Sequence, residues 1–305
     1  MDKLYKEMER WLIQYKKNDV KYASYIRLTG SLHLLGKYSI SSVPPDYLVL
    51  DDVQSYINGL IESGYSLETI KKQVKILREY LTYAYLSGYI KTPLYLGIKS
   101  PKEINVKKHK KTVRVYTREE QRRLTSALMC GETIYHKLGL LLLDTGMRIG
   151  EAMALQWTDI DMERKSVTVT KTIVRSLYGK SGYIQIMPKT KSSKRELPLS
   201  GRVLDSLLND EVDSDSDELI FVNRNGDPCS YDMVKRGIRS ICKEADVPFY
   251  GLHAFRHTFA TNCFHKGCDV QLLSKMLGHS KTSITYDRYI HLYGDSLEKM
   301  RSLVN

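Results

Sequence analysis

One stretch of the chain, residues 101–114, differs in composition from its surroundings and limits the folds that the chain can adopt. Its sequence is PKEINVKKHKKTVR, with lysines at positions 107, 108, 110 and 111 and almost no apolar residue. Pro101 and the lack of helical periodicity favour a linker over a solvated helix face. A chain of 305 residues is long enough for two domains. The sequence therefore predicts a helical N-terminal domain (residues 1–100), a basic linker (101–115) and a second domain (116–305).

The N-terminal region has the hydrophobic pattern of a helical domain. Ile70, Val74, Leu77 and Leu81 recur at helical spacing. Just before them, Ser66 is suitably placed to cap the start of that helix. We expect four or five helices in this region.

The second region mixes helices with short strands. Thr117 and Glu120 have the spacing of a capping box, and an apolar helix is predicted over residues 134–144. From residue 231 onward the pattern is helical again. Three segments alternate in the manner of β-strands and are predicted to form a small sheet: residues 166–174, 183–187 and 195–199. The predicted fold class is mainly α with a small β-sheet.

The formal net charge of +12 is concentrated in the first part of the chain. Residues 1–111 contain 19 Lys and Arg against 11 Asp and Glu, whereas residues 112–305 contain 28 against 24. A basic surface suggests a nucleic-acid partner, because each cation set against a phosphate releases a condensed counterion. The alternative is a basic protein with no such partner, and charge alone does not decide between them.

The sequence also bears on the compartment. No apolar run approaches the roughly 18 residues that cross a bilayer, and the first residues lack the apolar stretch of a signal peptide. The five cysteines form no CxxC pair, which favours reduced thiols over disulfides. We therefore expect a cytoplasmic protein without a membrane partner.

Four segments of the second region carry the residue types of a catalytic site. Each alone has an ordinary structural explanation, such as a surface arginine, a hairpin tip, an ion-pairing helix face or a packed tyrosine. In chain order they are TGMRIGEAMAL (145–155), PKTKSSKRELPL (188–199), LHAFRHTFAT (252–261) and LGHSKTSITYDRYIH (277–291). Together, and in this order, they resemble the signature of the tyrosine recombinase family, also called the phage integrase family: Arg, a hairpin Lys, HxxR, LGH and Tyr.

The resemblance implies a two-domain enzyme whose N-terminal helical domain binds the core recombination sites of double-stranded DNA. Among the four segments, residues 188–199 resemble most closely the corresponding segment of integrases from phages and conjugative transposons. Such an enzyme cleaves and rejoins DNA through a 3′-phosphotyrosine intermediate, acts as a tetramer on DNA, and integrates and excises a mobile element. No cofactor is expected, because the phosphotyrosine conserves the energy of the diester.

The resemblance assigns two arginines and two histidines to the scissile phosphate. Arginine offers planar, permanently charged, bidentate donors for the oxygens of a phosphoryl transition state, and Arg148 and Arg256 match the family's pair. His253 lies on the same helical face as Arg256, three residues earlier, where it donates to the phosphate or helps to deprotonate the tyrosine. His279 occupies the second imidazole position.

Three tyrosines compete as the nucleophile. Tyr286, Tyr289 and Tyr293 follow His279 by 7, 10 and 14 residues. In the family the nucleophile follows this histidine by nine or ten residues and commonly precedes x-His, so Tyr289 is favoured.

The remaining expected site residues support the reaction or bind DNA. A hairpin lysine resembles the family's general acid, and Lys189 is favoured over Lys191. Glu151 matches an acidic position that orients its neighbours from a buried place. The linker lysines are expected to contact the DNA backbone without reading sequence; they are Lys107, Lys108, Lys110 and Lys111.

Other functions fit less well. A zinc site within residues 253–268 lacks the spacing of a zinc knuckle and the glutamate of a zincin, and His257 is interpreted as a helix-packing residue. A DNA-binding regulator without catalysis is disfavoured by the complete residue set. A type IB topoisomerase is disfavoured by the LGH element and the size. The last segment, residues 292–305, is expected to form an amphipathic helix that docks on a neighbouring protomer or on its own domain.

Overall fold

The structure of the protein, a computed structural model, describes residues 2–101, 114–175, 183–186, 194–208 and 216–289. The chain divides into two compact units, residues 1–111 and 112–305. The division falls inside the predicted linker, of which residues 102–113 lie outside the described part. Among the described residues, no helix is both long and apolar enough to cross a membrane.

The N-terminal unit is helical, as predicted. Its helices are α1 (Leu4–Trp11, continued by a π-helical turn over Leu12–Lys16), α2 (Tyr22–Leu35), α3 (Leu50–Glu62), α4 (Leu67–Leu86) and the short α5 (Leu94–Gly97). The Ser66 side chain accepts a hydrogen bond from the Thr69 amide at the start of α4, which confirms the predicted cap. The apolar stripe of α4 is buried in the core of this unit, with Ile70 and Leu77 fully covered.

The C-terminal unit contains eight described helices. They are α6 (Arg118–Cys130), α7 (Ile134–Thr145), α8 (Ile149–Ala152), α9 (Gly201–Leu208), α10 (Tyr231–Glu244), α11 (Leu252–His265), α12 (Val270–Leu277) and α13 (Thr282–Tyr289). The capping box of α6 is confirmed, since Thr117 and Glu120 exchange side-chain to backbone bonds of 2.7 and 3.2 Å. Helix α7 is almost entirely buried and packs against α6, α9, α10 and α11, so it forms the centre of the unit.

Five short strands accompany these helices. They are β1 (Ile160–Asp161), β2 (Ser166–Val169), β3 (Thr172–Arg175), β4 (Tyr183–Ile186) and β5 (Arg195–Pro198). The described strands form an antiparallel sheet in the order β1-β2-β5 and a separate antiparallel pair, β3-β4. The fold class, mainly α with a small amount of β, is confirmed.

One detail of the strand prediction is wrong. The segment 166–174 was expected to be one strand of one sheet, but it divides into β2 and β3, which belong to different sheets. The break lies at Lys171, whose ammonium pairs with Asp159 at 3.3 Å and also contacts the Gln156 side chain. The two parts have different partners, since β2 pairs with β5 and β3 pairs with β4.

A glycine turn separates α7 from α8. Gly146 has φ of 64°, and a Cβ placed there would lie 2.3 Å from the ring of Phe259, so only glycine fits. Helix α8 then begins at Ile149 and ends at Ala152. The turn places Arg148 at the start of α8.

Candidate active site

Arg148 is fixed at the start of α8 by a buried carboxylate. Its guanidinium lies 2.8 Å from one Glu151 oxygen, and its backbone amide donates to the other at 2.9 Å. A second guanidinium nitrogen donates to the carbonyl oxygen of Gly278 at 3.0 Å. The side chain is partly exposed, so it is positioned and still accessible to a ligand.

Glu151 is shared with a second arginine, Arg195 of β5. The two side chains pair at 2.7 Å and are both buried. Burial alone would raise the pKa of the Glu151 carboxyl, but the hydrogen bonds and charges of Arg195 and Arg148 bring that pKa below its ordinary value. Glu151 is therefore a carboxylate at neutral pH and fixes the orientation of both guanidinium groups.

Three arginines converge on the end of α12. Arg195 donates to the carbonyl oxygen of Met276 at 2.6 Å, Arg256 to that of Leu277 at 2.6 Å, and Arg148 to that of Gly278 at 3.0 Å. The last carbonyls of a helix have no intrahelical partner and form the negative end of its dipole. The end of α12 therefore stabilises three cations that would otherwise repel one another.

The turn after α12 also requires glycine. Gly278 has φ of 63°, and a Cβ there would lie 2.8 Å from the Arg195 guanidinium. This close approach allows the backbone to reach the arginines and presents His279 directly after the turn.

Arg256 is buried on α11, and its second guanidinium nitrogen donates to the Gly146 carbonyl at 2.9 Å. No ion pair with a carboxylate is found for it within the described part of the chain. Burial, together with the nearby charge of Arg148, lowers the pKa of Arg256 to about 9. The guanidinium is still charged at neutral pH, so an anionic ligand would relieve the cost of burying it.

His279 is held in one tautomer by its neighbours. Its Nε2 lies 2.9 Å from an Arg256 nitrogen, and its Nδ1 lies 2.7 Å from the hydroxyl of Thr285. Because a guanidinium can only donate, Nε2 accepts and the ring proton is on Nδ1. Burial and the charges of Arg256 and Arg148 lower the pKa of His279 to about 4, so the ring is neutral at pH 7.

These residues line one cavity of about 380 Å³, which we call the arginine pocket. Three guanidinium groups line it, from Arg148, Arg256 and Arg288, and none of its described lining residues is acidic. His253, the exposed residue in the first turn of α11, also lines it. Partial desolvation of its ring, together with the charge of Arg256, lowers the pKa of His253. The other lining residues are Gly278, His279, Ser280 and Ile284. The positive charge of the pocket and its guanidinium hydrogen-bond donors suit a phosphate group.

A larger cavity of about 570 Å³ lies between α6, α7 and α9, away from these residues. Its lining includes Glu132 and Asp205 as well as Lys137 and Arg202. Because its charges are mixed, it lacks the uniform cationic character of the arginine pocket, and we do not assign it to the site.

Tyr289 lies close to the arginine pocket in the fold but does not line it. Its hydroxyl is 2.9 Å from Nδ1 of His257, and its side chain is only 3% exposed. The ring packs with Ala260, Leu273 and Leu277. We call Tyr289 together with these four residues the tyrosine site. Burial raises the pKa of the Tyr289 phenol to about 12, even though the charge of Arg256 acts in the opposite direction.

The structure thus brings together four of the predicted site residues, Arg148, His253, Arg256 and His279, and adds Glu151 behind them. Of the competing tyrosines, Tyr286 is about half exposed on α13. The remaining predicted residues lie outside the described residues: Lys189, Lys191, Lys107, Lys108, Lys110, Lys111, Tyr293 and the segment 292–305. Within the described ranges, no group of three or more His, Cys, Asp or Glu side chains could hold a metal ion.

Three residues were missed by sequence reasoning. Arg195 lies in the PKTKSSKRELPL segment, but its pairing with Glu151 carries no signal in the sequence. Arg288 precedes Tyr289 and was not considered as a pocket residue. His257 was interpreted as packing, although its position one helical turn after His253 indicated the same face of α11. In the structure it bonds to the tyrosine hydroxyl.

Comparison with known proteins gives a consistent result. The sequence model of the phage integrase family matches residues 108–295. The chain is 28% identical to a tyrosine recombinase XerC-like protein of Caldanaerobacter subterraneus, over 93% of this chain and 78% of that protein. It is 29% identical to the transposase from transposon Tn916 of Enterococcus faecalis, over 86% of this chain and 66% of the transposase. It is 25% identical to the ICEBs1 integrase of Bacillus subtilis, over 87% of this chain and 74% of that integrase.

Solved structures share the fold. The Tn1549 transposon integrase in complex with a circular intermediate DNA has a TM-score of 0.78 at 19% identity, covering 100% of both chains. A lambda integrase dimer bound to a COC′ core site has a TM-score of 0.64 at 17% identity, covering 94% of this chain and 77% of the integrase chain.

Proposed function

Because the chain belongs to the phage integrase family of site-specific DNA recombinases, we propose that it cleaves and rejoins double-stranded DNA through a covalent 3′-phosphotyrosine intermediate. The observation that carries this proposal is the arginine pocket. Three guanidinium groups line it without an acidic residue among its described lining. A pocket of this sign and size suits one phosphodiester of a DNA strand.

The arginines are proposed to stabilise the transition state. Negative charge accumulates on the non-bridging oxygens during phosphoryl transfer, and preorganised donors reduce the barrier most where that charge develops. Arg148 and Arg256 are already oriented by Glu151 and by the backbone carbonyls at the ends of α7 and α12. Little reorganisation is therefore needed when the phosphate enters.

Tyr289 is the proposed nucleophile. Its oxygen forms a bond to phosphorus, and the bond from phosphorus to the 5′ oxygen breaks, which leaves a 3′-phosphotyrosyl strand and a free 5′ hydroxyl. His253 is proposed to accept the phenol proton, since its lowered pKa keeps it neutral at pH 7. A hairpin lysine, Lys189 in preference to Lys191, is proposed to protonate the leaving oxygen. Attack by a 5′ hydroxyl of the partner strand reverses these bonds and completes the exchange.

The relatives support a role in DNA mobility. They include a transposase from transposon Tn916 and the ICEBs1 integrase, so we propose that this chain integrates and excises a mobile element. We further propose that it assembles as a tetramer on its core sites and works in the cytoplasm, where its DNA substrate would lie. The lysines at positions 107, 108, 110 and 111 are proposed to bind the DNA backbone.

The test requires DNA that the chain recognises. Core-site DNA is first selected by the full chain from a randomised duplex library and then prepared as a nicked suicide substrate, in which the cleaved fragment diffuses away. The wild-type chain should form a covalent adduct on denaturing gels. Tyr289→Phe should form none while binding the duplex with unchanged affinity, because only one hydroxyl is lost.

Tyr286→Phe is the matched control on the same helix and should keep the adduct. The assignment of the nucleophile is wrong if the adduct persists in Tyr289→Phe and disappears in Tyr286→Phe. Binding without any adduct from the wild-type chain would contradict the proposed reaction itself.

A further inference from the structure

The hydroxyl of Tyr289 bonds to a residue of α11 that does not line the arginine pocket. It lies 2.9 Å from Nδ1 of His257, and the two rings meet edge to face with their centroids 6.2 Å apart. The tyrosine ring packs with Ala260, Leu273 and Leu277 and is almost completely buried. Neither Tyr289 nor His257 is among the residues that line the arginine pocket, so this bond engages the hydroxyl outside the pocket.

The proton of this hydrogen bond belongs to the tyrosine. Burial, with the charge of Arg288, lowers the pKa of His257 to about 4, and burial raises that of Tyr289 to about 12. At any pH between these values the imidazole is neutral and the phenol keeps its proton. The phenol therefore donates and Nδ1 accepts, which puts the ring proton of His257 on Nε2. A protonated phenol is a weak nucleophile.

A second hydrogen bond fastens the same helix. Thr285 lies one turn before Tyr289 on the same face of α13 and is also buried. Its hydroxyl bonds to Nδ1 of His279, the histidine that contacts Arg256. Helix α13 is thus attached to two histidines, one in the arginine pocket and one outside it.

We propose that His257 is a positioning residue that retains the Tyr289 hydroxyl outside the arginine pocket in the DNA-free chain, and that this bond must break before cleavage. The inference rests on the proposed role of Tyr289 as the nucleophile. It differs from a role for His257 as the base that deprotonates the tyrosine, because the two roles predict rate changes of opposite sign. Loss of a retaining bond speeds cleavage, whereas loss of a base slows it.

Three variants of the full chain separate these roles. His257→Leu has a similar volume and no acceptor, whereas the Oδ1 of His257→Asn can take the place of Nδ1 as an acceptor. His265→Leu is the same change at an exposed position on the same helix. His257→Phe provides a second variant without an acceptor if the leucine variant does not fold.

The first measurement is the rate of adduct formation with excess enzyme on the suicide substrate. A single hydrogen bond contributes about 0.5–1.5 kcal/mol, so His257→Leu should speed adduct formation roughly two- to tenfold by raising the fraction of chains with a released tyrosine. His257→Asn should return the rate towards that of the wild type, and His265→Leu should not change it. An unchanged or slower rate in His257→Leu overturns the proposal.

The second measurement does not depend on catalysis. With 3-fluorotyrosine incorporated at position 289 alone, the ¹⁹F spectrum of the DNA-free chain should show one dominant resonance of a buried ring. In His257→Leu this resonance should shift or lose intensity to a second one, and His257→Asn should restore it. Identical spectra in all variants overturn the proposal. If the wild-type chain forms no adduct, the proposed function fails, while the spectra still decide whether His257 fixes the position of Tyr289.

Discussion

The arginine pocket and the tyrosine site are neighbours on one helix, yet they differ in almost every physical property. His253 and Arg256 in the first turns of α11 face an open, cationic cavity, whereas His257 and Ala260 further along cover a buried phenol. His257 follows His253 by four residues, which is about 6 Å along a helix axis. The histidine that bonds to Tyr289 therefore lies one helical turn after a histidine that lines the pocket.

The difference indicates which part of the site is ready before DNA binds. The arginines are already held by Glu151 and by carbonyls of α7 and α12, so the pocket needs only its anion. Tyr289, in contrast, is buried and bonded to His257 outside the pocket. Under the proposed mechanism, DNA binding supplies the free energy that breaks the bond between Tyr289 and His257. Because Ile284 and Arg288 of α13 line the pocket, movement of this helix would also change that side of the lining.

The largest expected effect comes from the pocket. Arg256→Lys keeps one positive charge but loses the planar fork that reaches both a phosphate and two backbone carbonyls. The loss of a preorganised donor costs about 10²- to 10³-fold in rate, and we expect a decrease of that size in single-turnover cleavage. The ¹⁹F signal of a fluorotyrosine at position 289 should stay in place, because the tyrosine site is intact.

Arg122→Lys, on the exposed face of α6, is the matched control and should not change the rate. A fluorine signal that moves in Arg256→Lys would show that the arginine pocket and the tyrosine site are one cooperative structure and not two independent regions.

The next effect concerns stability. Glu151→Gln removes a buried carboxylate that pairs with both Arg148 and Arg195. Removing one partner of a buried ion pair costs about 3 kcal/mol in the free energy of unfolding. This can be measured by urea unfolding of the full chain, followed by Trp157 fluorescence in a Trp11→Phe background so that the C-terminal unit is observed alone.

Glu119→Gln is the corresponding change in an exposed pair with Arg122 and should leave the unfolding curve unchanged. If Glu151→Gln also leaves the unfolding curve unchanged, ion pairs do not stabilise the arginine pocket. The pocket and the apolar tyrosine site would then differ less in how they are stabilised than the geometry indicates.

The smallest expected effect is a dependence on pH that both regions share. His257 in the tyrosine site and His279 in the pocket each have a pKa lowered to about 4 by burial, against 6.5 in the unfolded chain. Between these values the unfolded chain binds more protons, so the C-terminal unit loses stability as pH falls from about 6.5 towards about 4.5. Ionised Glu151, whose folded pKa is lowered, adds its own loss only at still lower pH.

Trp157 fluorescence in this pH window measures how the free energy of unfolding depends on pH. Its slope tests whether the C-terminal unit loses stability on acidification, as predicted. His257→Leu should make it shallower, since one of the groups that take up a proton on unfolding is gone. Stability that rises on acidification would mean that these histidines gain protons in the folded chain, contrary to their burial.

Much of this site follows from the sequence, and the limits of that inference are physical. The capping box at Thr117 and the apolar stripe of α4 are local patterns, and both are found as predicted. The spacing of His253 and Arg256 on one helix face likewise places both in the pocket. Such features depend on a few neighbouring residues and on helix geometry alone.

Features that depend on distant partners could not be predicted. Segment 166–174 divides because its two parts pair with different strands, β5 and β4, and the importance of Arg195 depends on Glu151, 44 residues earlier. The direction of the Tyr289 hydroxyl depends on how α13 packs against α11. The spacing from His279 identifies Tyr289 in the sequence, but it does not predict the orientation of the Tyr289 side chain.

The bonds of the three arginines to the end of α12 determine when the arginine pocket can form during synthesis of the chain. Their bonds to Met276, Leu277 and Gly278 join residues that are 81, 21 and 130 positions apart in the chain. Domains generally fold from the N-terminus as a chain leaves the ribosome, so the N-terminal unit can form long before residue 278 emerges. A growing chain is therefore without an assembled arginine pocket for most of its synthesis, and the proposed nucleophile, Tyr289, follows later still. Under the proposed function, binding of core-site DNA by the N-terminal unit can begin during translation, whereas cleavage requires a chain that extends at least to residue 289.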